Sequence, residues 1–496
     1  MSKADAHAGR TAPMVEAHTI DHIPESERRG KSWHQGPFWF MINATLLTVL
    51  SGVYGALTGL GLTWSLVAIV TGTLFGTIFT ALHAVQGPRL GIPQMIQSRV
   101  QFGSRGASWI LAVVVFMDIG FAVFFAILGR DSLGRLTSPH PSAYAAILIA
   151  GATLIAIAGY HLIHRVQRVF SVLALIVLAI LTVAVVVETP FRSLFGSGPF
   201  FATAFLLQFG ISASYQITVA PLVSSYTRYL PRRVPARSTV AWVFAGSALS
   251  AIWLESLGAT VATASPSGDL IATFAGYGHA FVPGSGSALE VVTFASMFGI
   301  VAVCLYEAVL SGLSLVDAFR PVRTSARLRV VWLLAVAAVV YALVVVLPAD
   351  YLANYNSFLL LMLYFLVPWT AVNLTDFYFV RKERYAVAEL LRQDGGVYGR
   401  WAAKGIIAYL IGFAVMIPFF SNPFYTGPLA KALGGADITV AVGVPVAAIL
   451  FFLLMRRHDF SGERALVAVD AERLAAAHAG AGMAPAGHDA RKDGRD

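Results

Sequence analysis

Apolar stretches long enough to cross about 30 Å of hydrocarbon recur along the whole chain, separated by short polar segments. They read as twelve spans, at residues 37–61, 63–86, 107–129, 141–160, 168–187, 199–226, 238–263, 288–317, 330–348, 356–379, 402–420 and 438–455. In lipid a backbone must satisfy its own polar groups, and a helix does so within one segment. The pattern therefore predicts an all-α integral membrane protein of about 12 transmembrane helices. Polar ends frame a membrane domain of 37–456: a loose segment at 1–36, and a tail at 457–496 that begins with a short helix near 461–478.

Two of these spans are not uniformly apolar. Span 1 runs Asn43-Ala44-Thr45-Leu46-Leu47-Thr48 and then Ser51, Gly52, Gly55, Gly59 and Gly61. Span 6 runs Gly210-Ile211-Ser212-Ala213-Ser214-Tyr215-Gln216-Ile217-Thr218 and then Pro221. Small, hydroxyl and amide residues at mid-depth, five spans apart, predict two broken helices at matching places of an inverted repeat, with substrate held at the breaks. The repeats would be about 37–187 and 199–379, with two extra helices at about 402–455.

Composition agrees. Charged residues make up 12% of the 496-residue chain, about half the usual share of a soluble domain. The net charge of +9 would suggest nucleic acid in a soluble protein. Here its distribution has a different cause. With the N-terminus inside, the cytoplasmic segments hold 31 of the 35 Lys and Arg, leaving Arg130, Arg135, Arg192 and Lys431 outside. That asymmetry places both termini in the cytoplasm of a cell (inner) membrane protein, with the bilayer and no nucleic acid as its partner. A single cysteine, Cys304, excludes an internal disulfide.

The segment 86–106, Gln-Gly-Pro-Arg-Leu-Gly-Ile-Pro-Gln-Met-Ile-Gln-Ser-Arg-Val-Gln-Phe-Gly-Ser-Arg-Gly, is too polar to cross lipid and reads as a short amphipathic cytoplasmic helix. It resembles the signature loop of the nucleobase–cation symporter family 1, in its purine–cytosine permease branch. Three other stretches carry the same resemblance: 23–30 before span 1, 225–231 at the end of span 6, and 373–378 at the end of span 10. Ser225 stands where an acid is usual. The resemblance implies a LeuT-like 5+5 fold and a planar heterocycle held between aromatic rings of spans 3 and 6. Those positions fall on Phe121, where tryptophan is common, and Tyr215. Gln216 would read the polar edge of the substrate, since an amide both donates and accepts. Thr45 and Thr48 would face the same cavity.

Coupling is where the chain departs from the family. Sodium-coupled members carry adjacent hydroxyl residues in span 8; here the stretch is Phe298-Gly299-Ile300-Val301-Ala302. A hard cation wants oxygen ligands, so a proton is favoured over sodium as the coupling ion, and no cofactor is expected. Acids inside spans are costly and usually functional. Asp118 and Glu307 are the candidate proton carriers, and Glu255 is a third intramembrane acid. Glu290, Asp317 and Asp376 fall nearer span ends, where interfacial solvation is expected. The function expected is an ion-coupled importer of a nucleobase or related heterocycle of the cytosine, purine, uracil or hydantoin/allantoin type. The alternatives are a carrier of a vitamin-like heterocycle or amino acid, or a membrane-embedded enzyme. An enzyme would need a nucleophile–base pair or metal cluster within the spans, and the sequence presents neither.

Overall fold

The computed structural model describes residues 22–470, apart from 138–139, 197, 267–268, 321, 323–324 and 348–350. Among them, nine helices are long and apolar enough to span a bilayer. A bent pair forms a tenth span, and the shorter apolar helices Ala403–Phe419 and Thr439–Met455 stand where the last two spans are expected. Span 1 comprises Gln35–Asn43, Leu46–Ser51 and Tyr54–Leu57. Spans 2 to 5 are Leu62–His83, Ser108–Gly134, Pro141–Ala158 and Tyr160–Glu188. Span 6 is Ala202–Ile217 continued by Ala220–Thr227. Spans 7 to 10 are Ala236–Ala264, Ser285–Asp317, Ala326–Val346 and Tyr351–Thr375.

Packing follows the repeat. Span 2 lies on span 7, span 3 on span 8 and span 4 on span 9, always five spans apart. Spans 1, 2, 6 and 7 form one bundle, and spans 3, 4, 8 and 9 form the layer against it. Span 10 packs on spans 3, 6 and 12, and is almost wholly enclosed. Spans 5 and 9 expose Ile176, Val183, Val187, Leu334 and Val346. Apolar side chains facing outward are stable where the solvent is lipid.

Small residues let the bundle close. A Cβ on Gly52 would overlap the backbone carbonyl of Glu255, and one on Gly258 would overlap that of Val49. Spans 1 and 7 therefore meet backbone to backbone, as small residues allow.

Four expectations need correction. Span 6 is interrupted at Thr218–Val219, just before Pro221, but it is not sharply bent; the only bent pair among the described residues is in span 1, at 71°. The segment 86–106 is no surface amphipathic helix. It folds as the short turns Gln86–Leu90, Gln94–Gln97 and Arg99–Phe102, nearly all buried. Residues 22–36 are anchored: Ile23 N–H donates to Gly91 O at 2.9 Å, and the buried Arg28 donates to the carbonyls of Ile23 and Pro88, each at 2.8 Å. Asp317 and Asp376 lie in buried ion pairs with Arg99 and Arg381. The tail is helical over 461–470, and the rest of the expected 461–478 helix lies outside the described residues.

Candidate functional site

Span 1 breaks where its side chains can replace the lost helix bonds. Thr45 is extended (φ −133°, ψ 155°), so the carbonyl of Asn43 leaves the helical ladder. Thr45 N–H donates to it at 2.7 Å, and Thr48 Oγ1 at 2.6 Å. The Asn43 amide donates to Ser247 O and Oγ and to Ser250 Oγ on span 7. Each buried backbone group left unpaired would cost roughly 1–3 kcal/mol, so this cradle is what permits the break.

Tyr215 of span 6 reaches into the cradle. Its hydroxyl lies 2.6 Å from Thr48 Oγ1, and Thr45 hydrogen-bonds it as well. Beyond it, on span 8, Cys304 lies within electrostatic reach of Tyr215, Asp118 and Glu307. Asp118 and Glu307 interact with each other, and Asp118 Oδ2 is buried without a hydrogen-bond partner. Phe121 stands one helical turn beyond Asp118, half-buried. Its ring meets Phe358 of span 10 edge-on at 5.1 Å and Phe125 in a stacked arrangement at 6.1 Å.

The structure thus joins Thr45, Thr48 and Tyr215 at the break, and connects Asp118 and Glu307 to them only through Cys304, which lies within electrostatic reach of Tyr215 and of both acids. Gln216 is turned elsewhere: its amide oxygen accepts from Ser247 Oγ at 2.7 Å, and its nitrogen donates to Ser247 O at 3.3 Å. At the span-8 stretch 298–302, the side chain nearest Gly299 is Gln167 of span 5. Its amide nitrogen donates to Ser171 Oγ at 3.1 Å, and its oxygen is buried and unpartnered.

Sequence reasoning missed a second interruption of span 1, at Gly52–Val53, and the residue that serves it. Gln208 of span 6 accepts from Gly55 N–H at 2.9 Å and donates to Ser51 O at 3.0 Å and to Ser212 Oγ at 3.1 Å. The available signal was an amide in span 6 level with a glycine pair in span 1.

A second polar cluster ties the segment 86–106 to the ends of spans 6 and 10. Gln86 donates to Asn373 at 2.7 Å, Gln101 to Asp376 at 2.6 Å and Gln97 to Ser224 at 2.5 Å. His83 stacks on Trp369 at 4.9 Å and 6°. Arg381 is clamped between Asp376 and Glu463, the latter from the tail at 2.8 Å. Burial opposes the guanidinium charge, but these two carboxylates outweigh it and hold Arg381 protonated more firmly than usual.

Comparison with known proteins gives this arrangement a lineage. The solved structure of Mhp1, a nucleobase–cation-symport-1 family transporter, closed with bromovinylhydantoin bound, superposes with a TM-score of 0.72 at 16% identity. It covers 89% of this chain and 95% of that one. The inward-facing conformation of Mhp1 gives 0.67 over the same shares. The fold is thus LeuT-like. A putative purine-cytosine permease YxlA from Bacillus subtilis is 36% identical over 451 residues, 89% of this chain and 96% of the relative. The purine-cytosine permease fcyB of Emericella nidulans is 24% identical, over 89% and 88%. Residues 22–443 match the family described as permease for cytosine/purines, uracil, thiamine, allantoin, and the chain belongs to that family of membrane transporters.

Proposed function

We propose that the protein imports a nucleobase or related planar heterocycle across the cell membrane by alternating access, in symport with protons, with both termini in the cytoplasm. The observation that carries the reading is the tether between Tyr215 and Thr48 at the unwound part of span 1. An aromatic ring fixed by its hydroxyl to the sharply bent span 1 is a stacking platform whose position depends on that bend. Stacking is worth roughly 1–3 kcal/mol per base and leaves identity to polar neighbours. Phe121 supplies the opposing ring, and Thr45, Thr48 and Gln216 supply the polar edge, with Gln216 exchanging Ser247 for substrate. Basic residues crowded into the loops on one side support the orientation.

Proton coupling is supported from two sides. Span 8 offers no side-chain oxygen at 298–302, and the amide of Gln167 fills the space against Gly299. Asp118 and Glu307 lie within electrostatic reach of each other, with Asp118 one helical turn from Phe121; two buried carboxyls that cannot both be charged share a proton. The test is initial uptake of radiolabelled cytosine, adenine, hypoxanthine and uracil into proteoliposomes. One arm imposes a pH gradient without sodium; the other imposes a sodium gradient at fixed pH. Uptake is expected in the first arm alone, and Asp118→Asn should abolish accumulation while retaining substrate exchange. Strict dependence on sodium refutes the coupling, and uptake unaffected by Phe121→Ala refutes the ring pair.

A further inference from the structure

We propose that Glu255 is a second proton-binding site, separate from Asp118 and Glu307, whose occupancy sets how firmly the outer interruption of span 1 is held. The proposal rests on the transport reading, but its chemistry is local.

The hydrogen-bond directions around Gly52–Val53 are forced. Gly55 N–H can only donate, so the Gln208 group facing it is the carbonyl oxygen. Ser51 O can only accept, so the amide nitrogen faces that side. The same nitrogen donates to Ser212 Oγ, which leaves the Ser212 proton free to point at Glu255, and it donates there to Oε2. The relay therefore ends on a carboxyl oxygen that must accept. Glu255 Oε1, fully buried, has no partner.

Two states remain for this group. A carboxylate would be a buried charge facing one hydroxyl and no cation, and an uncompensated buried ion is far costlier than one unmade hydrogen bond. A proton on Oε1 leaves a single unpaired donor, at roughly 1–3 kcal/mol. The packed arrangement therefore holds the proton, and loss of that proton to water requires span 1 to swing off span 7. Among the described residues no other charge is placed to compensate. Span 7 carries only Arg237 besides Glu255, at its opposite end, and the turn Ser32–His34 carries His34, also far from this level. Span 1 brings only Tyr54, span 2 only His83 at its far end, and span 6 Tyr215 and, past its interruption, Tyr226. Span 5 has its ionisable residues within 160–168 and at Glu188, and the outer helix Leu270–Phe281 carries Tyr277 and His279. Glu255 also backs the glycine contact that fixes Gly52, so protonation and the seating of span 1 act on one joint.

Infrared difference spectroscopy of the full chain in phospholipid vesicles, titrated from mildly acidic to mildly alkaline, tests this without any substrate. A protonated-carboxyl band should titrate away, be absent in Glu255→Gln and survive in Asp118→Asn. If Glu255→Gln does not fold, Ser212→Ala serves instead, because removing the donor to Oε2 should shift the same band. In a Cys304→Ala background, labelling of Leu57→Cys by an impermeant maleimide should rise several-fold toward alkaline pH, and become flat once Glu255→Gln is added. A band unchanged by either variant overturns the assignment, as does its loss on replacing choline chloride with sodium chloride at constant pH, which would mark a sodium site. A transport assay that fails while the band behaves as stated refutes the transport reading alone.

Discussion

Spans 1 and 6 occupy equivalent places in the two repeats, carry similar small and polar residues, and fold differently. Span 1 bends by 71° and is interrupted twice. Span 6 keeps its direction through a two-residue interruption before Pro221. The difference lies in where the side chains send their hydrogen bonds. In span 1, Thr48 returns to its own backbone at Asn43, and Gln208 serves Ser51 and Gly55 from outside. In span 6, the polar side chains ahead of the interruption leave for neighbours, Ser212 to Glu255, Ser214 to Leu359 O and Gln216 to Ser247; only at the interruption itself does Thr218 return to Tyr215 O, with Thr80 of span 2 serving Gln216 O. A polar residue opens its helix only when backbone groups are served in place of the ladder. Otherwise it fastens an intact helix to the next one.

That contrast can be broken by experiment. The largest effect should come from Gly52→Ala, whose methyl would collide with the Glu255 carbonyl; a loss of about 3 kcal/mol or more in unfolding free energy is expected. On span 6, Gly210→Ala meets only a Leu360 methyl at 4.0 Å and should be neutral or slightly stabilising. Equal responses to the two substitutions would contradict the asymmetry. Next, Gln208→Leu strips a buried N–H and a buried carbonyl of partners and should cost about 2–3 kcal/mol, against about 1 kcal/mol for Gln216→Leu. Denaturation of the purified variants would rank them. Tyr215→Phe removes one hydroxyl contact and should cost about 1 kcal/mol, while weakening nucleobase binding in a thermal-shift assay because the ring is freed from span 1.

The smallest effect lies outside the bundle, in the tail. Burial and the nearby Lys404 and Arg381 hold His458 below its ordinary value. The undocked tail then binds more protons as pH falls through the ordinary histidine range, so docking weakens on acidification and is complete above it. Proteolysis of the tail should quicken at mildly acidic pH, and His458→Gln should flatten that dependence.

Much of this architecture was legible beforehand. The apolar runs all fell on helices, nine of them long enough to span, one a bent pair and the last two shorter, because length and hydropathy go far in deciding what can lie in lipid. The break at Asn43-Ala44-Thr45 was legible too, since a small residue between two hydrogen-bonding ones is what an unwound turn needs. The interruption at Gly52–Val53 was not, because its partner Gln208 lies 153 residues downstream. The loop 86–106 misled for a related reason. A glutamine-rich segment has the same composition whether it meets water or other amides, and here Gln86, Gln97 and Gln101 find Asn373, Ser224 and Asp376. Asp317 and Asp376, expected at the wet interface, likewise found arginines that no spacing announces. The candidate stacking residues Phe121 and Tyr215 were reached through family resemblance, not from periodicity.

The clamp on Arg381 bears on how the protein is made. Asp376 and Arg381 emerge from the ribosome before spans 11 and 12, and Glu463 after both. While those two helices are being inserted, the cation has only Asp376 of its two carboxylates, and the end of span 10 lacks its final brace. The two helices beyond the repeats thus set an order: they carry Glu463 back to Arg381, and the clamp is complete only when both have been threaded.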